Sequence, residues 1–184
     1  MYALPQPMTL DEFLSWEERQ QQRFEYDGAE IQAMTGGSMA HARIQANLIL
    51  ALGVRLRGGP CFVVGSEIKI RTTTSIRYPD AMVICSKASP RATDTSDPVV
   101  VFEILSPSSA SNDLGGKNAE YQTLASLRRY VVLHQSLAAA EVFAKGEDGA
   151  WRHEFLTGEG VLGMPEIEID VPIQEIYEGV ELAM

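Results

Sequence analysis

The stretch Val99-Val100-Val101-Phe102-Glu103-Ile104-Leu105-Ser106-Pro107-Ser108-Ser109 (VVVFEILSPSS) decides the fold. Its run of apolar residues over 99–105 predicts a central strand that is covered on both faces. Glu103 is the exception, because a buried carboxylate is costly unless it is paired with a cation, bound to a metal or held protonated. The strand therefore predicts either a buried ion pair or a functional site.

The composition predicts one globular domain spanning residues 1–184, since 184 residues of which 45% are hydrophobic can bury their own core. The net charge of −10 argues against a broad nucleic-acid-binding surface, but it leaves room for a small positive cleft or a metal site. Cys61 and Cys85 show no paired spacing, which predicts two core thiols and gives no support for a disulfide. Without a leader-like or membrane-length apolar run, the sequence predicts a soluble, cytoplasmic protein with no membrane contact.

Capping and turn residues divide the chain into alternating helices and strands. Thr9-Leu10-Asp11-Glu12 matches a capping box that begins a helix reaching about Gln22, and Ser38 can cap a longer helix that Gly58-Gly59-Pro60 ends. Together with the strand at 99–105, the segments predict an α/β fold in which a mixed central β-sheet is flanked by α-helices. The remaining predicted segments are a hairpin over 24–34, strands at 61–64, 67–71, 77–85, 130–133, 140–143 and 151–156, a capping loop at 107–112, a helix at 113–125, and short strands with a helical turn over 161–180.

Pro79-Asp80 interrupts the predicted strand over 77–85. Proline removes a ladder donor and aspartate is a poor strand former, so the pair predicts a bend at which a side chain is re-aimed. Alone, Pro-Asp is common turn chemistry. Two carboxylates on neighbouring strands, however, are ligands that Mg²⁺ accepts together with waters and phosphate oxygens. Asp80 and Glu103 are therefore the candidate ligands of Mg²⁺, for which Mn²⁺ would be a substitute.

The order of several short motifs carries a resemblance to known proteins. Tyr78-Pro79-Asp80 followed by Phe102-Glu103-Ile104-Leu105 resembles the PD-(D/E)XK nuclease superfamily. A wider set, extending from about Leu10 to the tail, resembles the bacterial family described as putative restriction endonucleases and sometimes called Uma-two. That set consists of Phe24-Glu25-Tyr26-Asp27-Gly28-Ala29-Glu30, His41, Arg77-Tyr78-Pro79-Asp80, Glu103-Ile104-Leu105-Ser106-Pro107-Ser108, Lys117, Tyr121 and Arg129-Tyr130-Val131-Val132.

The resemblance implies that the α/β fold has a restriction-endonuclease-like core. It also implies a metal-dependent endonuclease that acts on DNA as a homodimer. Asp80 and Glu103 would bind the metal, which stabilises charge on the phosphate and lowers the pKa of the attacking water. The superfamily lysine position is occupied by Leu105, so Lys117 on the following helix is the expected substitute. Three further residues receive roles by resemblance: Glu25 as another metal ligand, and Tyr121 and His41 as contacts to substrate.

Each candidate also has a structural interpretation. Glu103 could be a buried ion pair with Lys117 or an arginine, and Lys117 alone would be a solvated helix residue. A lone histidine such as His41 is more often satisfied structurally. Asp113 is read as a helix-start acid. Ser106-Pro107-Ser108-Ser109 is read as capping sequence, because the Gly-x-Ser-x-Gly elbow is absent.

Two functions from different classes compete. The first is metal-dependent hydrolysis of nucleic acid, and the alternative is a catalytically inactive relative that serves as a nucleic-acid-binding or assembly module. An intermediate possibility is a nuclease that needs a basic partner to present its substrate. A working enzyme should hold Asp80, Glu103 and Lys117 together and should line the cleft with basic residues, for which the candidates are Arg43, Arg71, Arg77 and Lys87.

Overall fold

The computed structural model describes residues 8–34, 36–105 and 113–182. The predicted loop at 107–112 and the sequence Ser106-Pro107-Ser108-Ser109 lie outside these ranges. The helices are α1 (Leu10–Glu17), α2 (Met39–Leu56), α3 (Gly116–Tyr121) and α4 (Ile173–Ile176), with a 3₁₀ turn over Pro165–Ile167. The strands are β1 (Phe24–Tyr26), β2 (Ile31–Ala33), β3 (Phe62–Gly65), β4 (Lys69–Arg71), β5 (Ile76–Arg77), β6 (Ala81–Ile84), β7 (Asp94–Thr95), β8 (Pro98–Ile104), β9 (Arg129–Leu133), β10 (Ala139–Lys145), β11 (Trp151–Thr157), β12 (Val161–Met164) and β13 (Ile169–Pro172).

The strands form one large sheet, one smaller sheet and a two-stranded ribbon. The large sheet has the order β11-β10-β9-β8-β6-β3, in which β8 and β9 are parallel and the other neighbours are antiparallel. The smaller sheet has the order β2-β1-β5-β4-β7, and β12 pairs with β13. The predicted α/β fold with a mixed sheet and flanking helices is confirmed.

Strand β8 is buried on both faces, as its apolar run predicts. Val100, Phe102 and Ile104 belong to the core cluster that also contains the buried face of α2. Val101 and Leu105 belong to the cluster on the opposite face, which includes Tyr121 of α3. Since side chains alternate along a strand, Glu103 projects toward the face that carries α3.

Helices α1 and α2 begin where the capping residues indicate, whereas α3 begins three residues after its predicted start, and α1 and α3 are shorter than predicted. Both hydrogen bonds of the Thr9–Glu12 capping box are present, and α1 ends at Glu17 because the chain turns there toward β1. The backbone after Tyr121 continues in tight turns rather than as a helix. Among the described residues, no helix is long and apolar enough to span a bilayer.

The predicted strand over 77–85 is two strands that belong to different sheets. β5 ends at Arg77 in the smaller sheet, and β6 begins at Ala81 in the large sheet. Tyr78, Pro79 and Asp80 connect them. Because proline cannot donate to a ladder, Pro79 suits a point at which the chain leaves one sheet and enters the next. The predicted bend is confirmed, and it places Asp80 at the junction of the two sheets.

The two cysteines form a disulfide, so the prediction of two core thiols is wrong. Cys61 precedes β3 and Cys85 follows β6, and these strands are antiparallel with Phe62 opposite Ile84. Extension of that register places the two cysteines opposite each other, with their Cα atoms 4.0 Å apart. The proximity results from strand register, and a sequence separation of 24 residues gave no sign of it.

A buried charge network joins α1 to the smaller sheet. Glu17 is 6% exposed and accepts hydrogen bonds from Lys69 Nζ at 2.7 Å and from the Tyr78 hydroxyl at 2.7 Å. The backbone amide of Phe24 donates to the same carboxylate at 3.3 Å. The network therefore ties the end of α1 to β4 and to the segment that carries Asp80.

We expect Lys69→Met to lower the free energy of unfolding by about 3 kcal/mol, because Glu17 would stay buried without its ammonium partner. Urea denaturation measures the change. The control is Arg71→Met, which breaks an exposed pair with Asp11 and should cost less than about 1 kcal/mol. The double variant Lys69→Met/Glu17→Gln should recover part of the lost free energy of unfolding. Equal costs for Lys69→Met and Arg71→Met would contradict the role given to this network.

Candidate functional site

Strand register brings Asp80 and Glu103 together. Ala81 on β6 lies opposite Phe102 on β8 in an antiparallel pair, so the next position along the ladder sets Asp80 opposite Glu103. Directly opposite residues of an antiparallel pair project from the same face of the sheet. Asp80 Oδ2 accepts a hydrogen bond from the backbone amide of Ile104 at 2.7 Å, where the ladder ends. Two residues 23 positions apart in sequence thus share one face through pairing alone.

Glu103 is held by two side chains from α3. Its Oε1 accepts hydrogen bonds from Lys117 Nζ at 3.1 Å and from the Tyr121 hydroxyl at 2.9 Å. Lys117 and Tyr121 are four residues apart, so they lie on the same face of α3. Within the described part of the chain, no hydrogen bond ends on Glu103 Oε2.

Lys117 is surrounded by carboxylates. Its Nζ lies 3.1 Å from Glu103 Oε1, 3.3 Å from Glu25 Oε1 and 3.3 Å from Asp113 Oδ1, although the residue is only 6% exposed. Burial lowers the pKa of Lys117, but the three carboxylates outweigh burial and raise its pKa above that of an ordinary lysine. The side chain is therefore an ammonium at neutral pH.

The same concentration of charge perturbs the pKa of Glu103. Burial raises the pKa of Glu103 well above its ordinary value, and the nearby carboxylates of Asp80, Asp113 and Glu25 raise it further. Lys117 opposes the shift without cancelling it. The ammonium of Lys117 thus does not fully offset the cost of ionising the buried Glu103.

His41 lies beside Asp80. Its Nε2 is 3.1 Å from Asp80 Oδ1, and it projects from the first turn of α2, which Ser38 caps. A Cβ atom at Gly37 would lie 2.9 Å from Cγ of the imidazole, so the absence of a side chain there makes room for the ring. The start of α2 and the space at Gly37 therefore hold the imidazole of His41 next to the Asp80 carboxylate.

Glu25, the further metal ligand that the resemblance implies, contacts two cations and one backbone amide in the structure. Its Oε1 accepts from the Tyr78 amide at 3.0 Å and lies 3.3 Å from Lys117 Nζ, and its Oε2 accepts from Arg77 Nη1 at 3.3 Å. Both oxygens are engaged by donors. Glu25 acts here as a counter-charge that positions Lys117 and the segment before Asp80.

Tyr121 is also placed differently from its expected role. It is 0% exposed and lies behind Glu103, to which it donates, so it is not at a surface that substrate could reach. Burial raises the pKa of its hydroxyl well above the usual range, and the negative charge of Glu103 adds to that shift. The hydroxyl therefore remains a hydrogen-bond donor that fixes the carboxylate.

Asp80, Glu103, Lys117 and His41 open onto one cleft of about 830 Å³, which we call the acidic cleft. Its walls come from the segment before β1, from β2, from the start of α2 and from the ends of β6 and β8. On the described part of its lining, four carboxylates face two cations. The carboxylates are Glu25, Asp80, Glu103 and Asp113, and the cations are Arg23 and Lys117.

The basic lining expected of a working enzyme is not found at the four candidate positions. None of Arg43, Arg71, Arg77 and Lys87 is among the described residues that line the acidic cleft. Arg77 is buried beneath it, where Nη2 donates to Glu120 at 2.6 Å, and the desolvation that lowers its pKa is outweighed by Glu120 and Glu25.

The residue that sequence reasoning missed is Arg23, which does line the acidic cleft. It lies just before the Phe24-Glu25-Tyr26 strand, and proximity to that motif was the available signal. The position of Asp113 also differs from the interpretation as a helix-start acid. Its side chain is buried beside Lys117.

The geometry suits a hard divalent cation in a limited way. Among the described residues, no three His, Cys, Asp or Glu side chains converge closely enough to hold a metal by themselves. Mg²⁺ commonly takes one or two carboxylates and fills its other positions with water and phosphate oxygens. Asp80 and Glu103 match that smaller donor set, and both described hydrogen bonds from α3 to Glu103 end on Oε1.

The mixed α/β fold of this chain has a counterpart among solved structures. A crystal structure of a protein described as a putative nuclease of the DUF820 group, from Anabaena variabilis, superimposes with a TM-score of 0.79. The match covers 93% of this chain and 98% of that one at 16% identity, which shows a shared fold.

The chain belongs to the Uma2 family, described as "Putative restriction endonuclease", whose family model matches residues 10–172. Two uncharacterized proteins of Synechocystis sp. are similar along most of their length. The first is 31% identical over 172 residues, covering 92% of this chain and 90% of the relative. The second is 32% identical over 159 residues, covering 83% of this chain and 89% of the relative. The predicted family is confirmed.

We expect Glu103→Gln to gain stability relative to wild type as pH rises above the ordinary glutamate pKa of about 4.3, measured in EDTA to exclude metal. The folded-state pKa of Glu103 is raised, so protonation of this group favours folding. That contribution is complete below the ordinary glutamate pKa of about 4.3 and is lost as pH rises through the raised value. Glutamine cannot lose a proton, so only wild type declines through this group.

Urea denaturation at several pH values measures this difference in the free energy of unfolding. Glu159→Gln is the matched control, because Glu159 is exposed and should follow wild type at every pH. Parallel pH curves for wild type and Glu103→Gln would show that the carboxyl group is not perturbed in the way its surroundings indicate.

Proposed function

We propose that the protein is a metal-dependent endonuclease that hydrolyses phosphodiester bonds in DNA. The observation that carries the proposal is the placement of Asp80 opposite Glu103, with the ammonium of Lys117 beside Glu103, at the floor of one cleft. These are the residue types that the PD-(D/E)XK resemblance assigns to phosphodiester cleavage. Family membership and the fold of the Anabaena variabilis protein support a nuclease-like function.

Asp80 and Glu103 would hold Mg²⁺, or Mn²⁺ in its place. A bound Mg²⁺ supplies Lewis-acid stabilisation of the phosphate and lowers the pKa of a water molecule. The excess of carboxylates over cations on the described lining supports such a role, because an added divalent charge would balance it. It also means that the acidic cleft without metal repels a polyanion.

Lys117 would act through its charge. Its raised pKa keeps it protonated, so it cannot serve as the general base at neutral pH. An ammonium at this position can instead stabilise negative charge that develops on the phosphate oxygens in the transition state. Glu25 and Asp113 hold the ammonium in place, which limits the reorganisation that the reaction requires.

His41 is the described histidine on the lining of the acidic cleft. We propose that it contacts substrate or the attacking water, because its imidazole is fixed beside Asp80 by the start of α2. Histidine is the residue most often used to move protons at neutral pH. In this proposal His41 is therefore one of the residues that contact the substrate or the attacking water.

Three finer expectations belong to the same proposal. DNA is the proposed nucleic acid, and a homodimer is proposed because cutting both strands of a duplex needs two sites. The cytoplasm remains the proposed location, although disulfides such as Cys61–Cys85 are uncommon there.

The competing function is an inactive relative that binds or assembles. The observation that favours it is the burial of Lys117 between carboxylates, which by itself describes a structural ion-pair cluster. The two functions differ in metal binding, because a structural cluster needs no external cation.

We expect Asp80→Ala to abolish Mn²⁺ and Mg²⁺ binding in calorimetry and to reduce plasmid nicking by at least about 100-fold. Asp80→Asn should behave alike, while its side-chain oxygen can still accept from the Ile104 amide and so preserve the fold. Asp97→Ala, at an exposed carboxylate, is the control. Wild-type protein that binds no metal and cuts nothing would overturn the enzyme proposal and leave Glu103 as a structural carboxylate paired with Lys117.

We expect Lys117→Gln to retain metal binding while kcat for nicking falls by at least about 100-fold, since the missing charge acts mainly in the transition state. Calorimetry on the same preparation shows whether the site is still formed. Unchanged kcat in a variant that still binds metal would remove Lys117 from the reaction.

A further inference from the structure

The rim of the acidic cleft carries one solvent-accessible cation among the described residues, and it is Arg23. The side chain of Arg23 is 40% exposed, whereas that of Lys117 is 8% exposed and lies among three carboxylates. A phosphate that approaches the cleft from solvent therefore meets the guanidinium of Arg23 before it meets any other described positive charge on the lining.

The guanidinium is held on the side of the cleft that carries Asp80. Its Nη1 donates to the backbone carbonyl of Ser66 at 3.0 Å, and its Cζ lies 5.8 Å from the centroid of the Tyr78 ring. Tyr78 is two residues before Asp80 and also lines the cleft. The backbone contact and the ring fix the position of Arg23 without using its whole hydrogen-bonding capacity, because a guanidinium has five N–H donors.

The remaining partner of Arg23 can be displaced. Nη2 of Arg23 pairs with Glu67, whose side chain is 74% exposed. Exposed ion pairs contribute little to stability, so exchange of this carboxylate for another anion costs little. Arginine binds phosphate oxygens with charge-assisted hydrogen bonds that are stronger than those between neutral groups.

We propose that Arg23 binds a backbone phosphate of the nucleic-acid strand that occupies the acidic cleft, and that Glu67 competes with this phosphate for the guanidinium. The proposal rests on the proposed nuclease function and adds to it the residue that anchors substrate. The neighbouring exposed side chains at the rim are the uncharged amides of Gln21, Gln22 and Gln32. The strand is therefore held by few ionic contacts, and Arg23 is the one that a substitution can remove without disturbing the buried charges.

The test is binding of a fluorescently labelled single-stranded DNA, measured by anisotropy with Ca²⁺ in place of Mg²⁺ at salt concentrations from about 50 to about 200 mM. We expect Arg23→Gln to weaken binding by about tenfold for every sequence tested. It should also make the slope of log K against log salt shallower by about 0.7, the change for one phosphate contact on a single strand.

Glu67→Gln should have the opposite effect and tighten binding by about threefold, because the competing carboxylate is gone. In the double variant Arg23→Gln/Glu67→Gln, the benefit of Glu67→Gln should disappear, since it acts through Arg23. A general effect of removing negative charge would persist in the double variant, and that result would overturn the competition between Glu67 and phosphate.

Arg71→Gln is the matched control. The Arg71 side chain is also 40% exposed and pairs with a carboxylate, Asp11 at 2.8 Å, but it does not line the acidic cleft. If wild type binds the strand and Arg23→Gln changes binding no more than Arg71→Gln does, the inference on Arg23 fails while the proposed function stands. Wild type that neither binds the strand nor nicks plasmid overturns the proposed function and this inference together.

Discussion

The pairing of Glu103 with Lys117 is the interaction on which the rest of the site depends. A carboxylate in the middle of a fully covered strand cannot be left alone, and the ammonium that meets it comes from α3 on the same face of the sheet. This requirement fixes how α3 lies against β8. Tyr121, one turn further along, donates a second hydrogen bond to the same oxygen. Polar contacts as well as apolar packing therefore hold α3 against the sheet. The position of the helix in turn presents Lys117 to the acidic cleft.

The parts of this arrangement that are local in sequence could be predicted. An apolar run with one glutamate indicates a buried strand with an anomaly, Pro79 before Asp80 indicates a bend, and the spacing of Lys117 and Tyr121 indicates one helical face. The structure contains each of these features. Pairing of β6 with β8 follows from none of them, yet it is what sets Asp80 opposite Glu103. The ligand preference of Mg²⁺ and the family resemblance indicated that the two residues belong together, but the strand pairing itself could not be derived from the sequence.

The features that depend on register or on long side chains could not be predicted. Cys61 and Cys85 come together because β3 and β6 pair, and neither flanking sequence carries a sign of that pairing. Basic residues near the motifs were expected in the cleft, but an arginine reaches whichever carboxylate the fold brings within range. Arg77 pairs with Glu120 and Glu25 and does not line the cleft, whereas Arg23, which belongs to no motif of its own, lies at the rim. Such contacts depend on the tertiary structure, and a single sequence does not show which carboxylate each arginine will reach.

The chain contains a second buried lysine–glutamate site, and the comparison explains why one of the two is a candidate for chemistry. Lys69 meets one carboxylate, Glu17, whose other oxygen is satisfied by neutral donors, so the charges balance. Lys117 meets three carboxylates, and Asp80 adds a fourth nearby. A buried ion pair with balanced charges can be purely structural and needs no further ligand. Excess negative charge is expensive to bury, and under the proposed function a bound divalent cation would balance it.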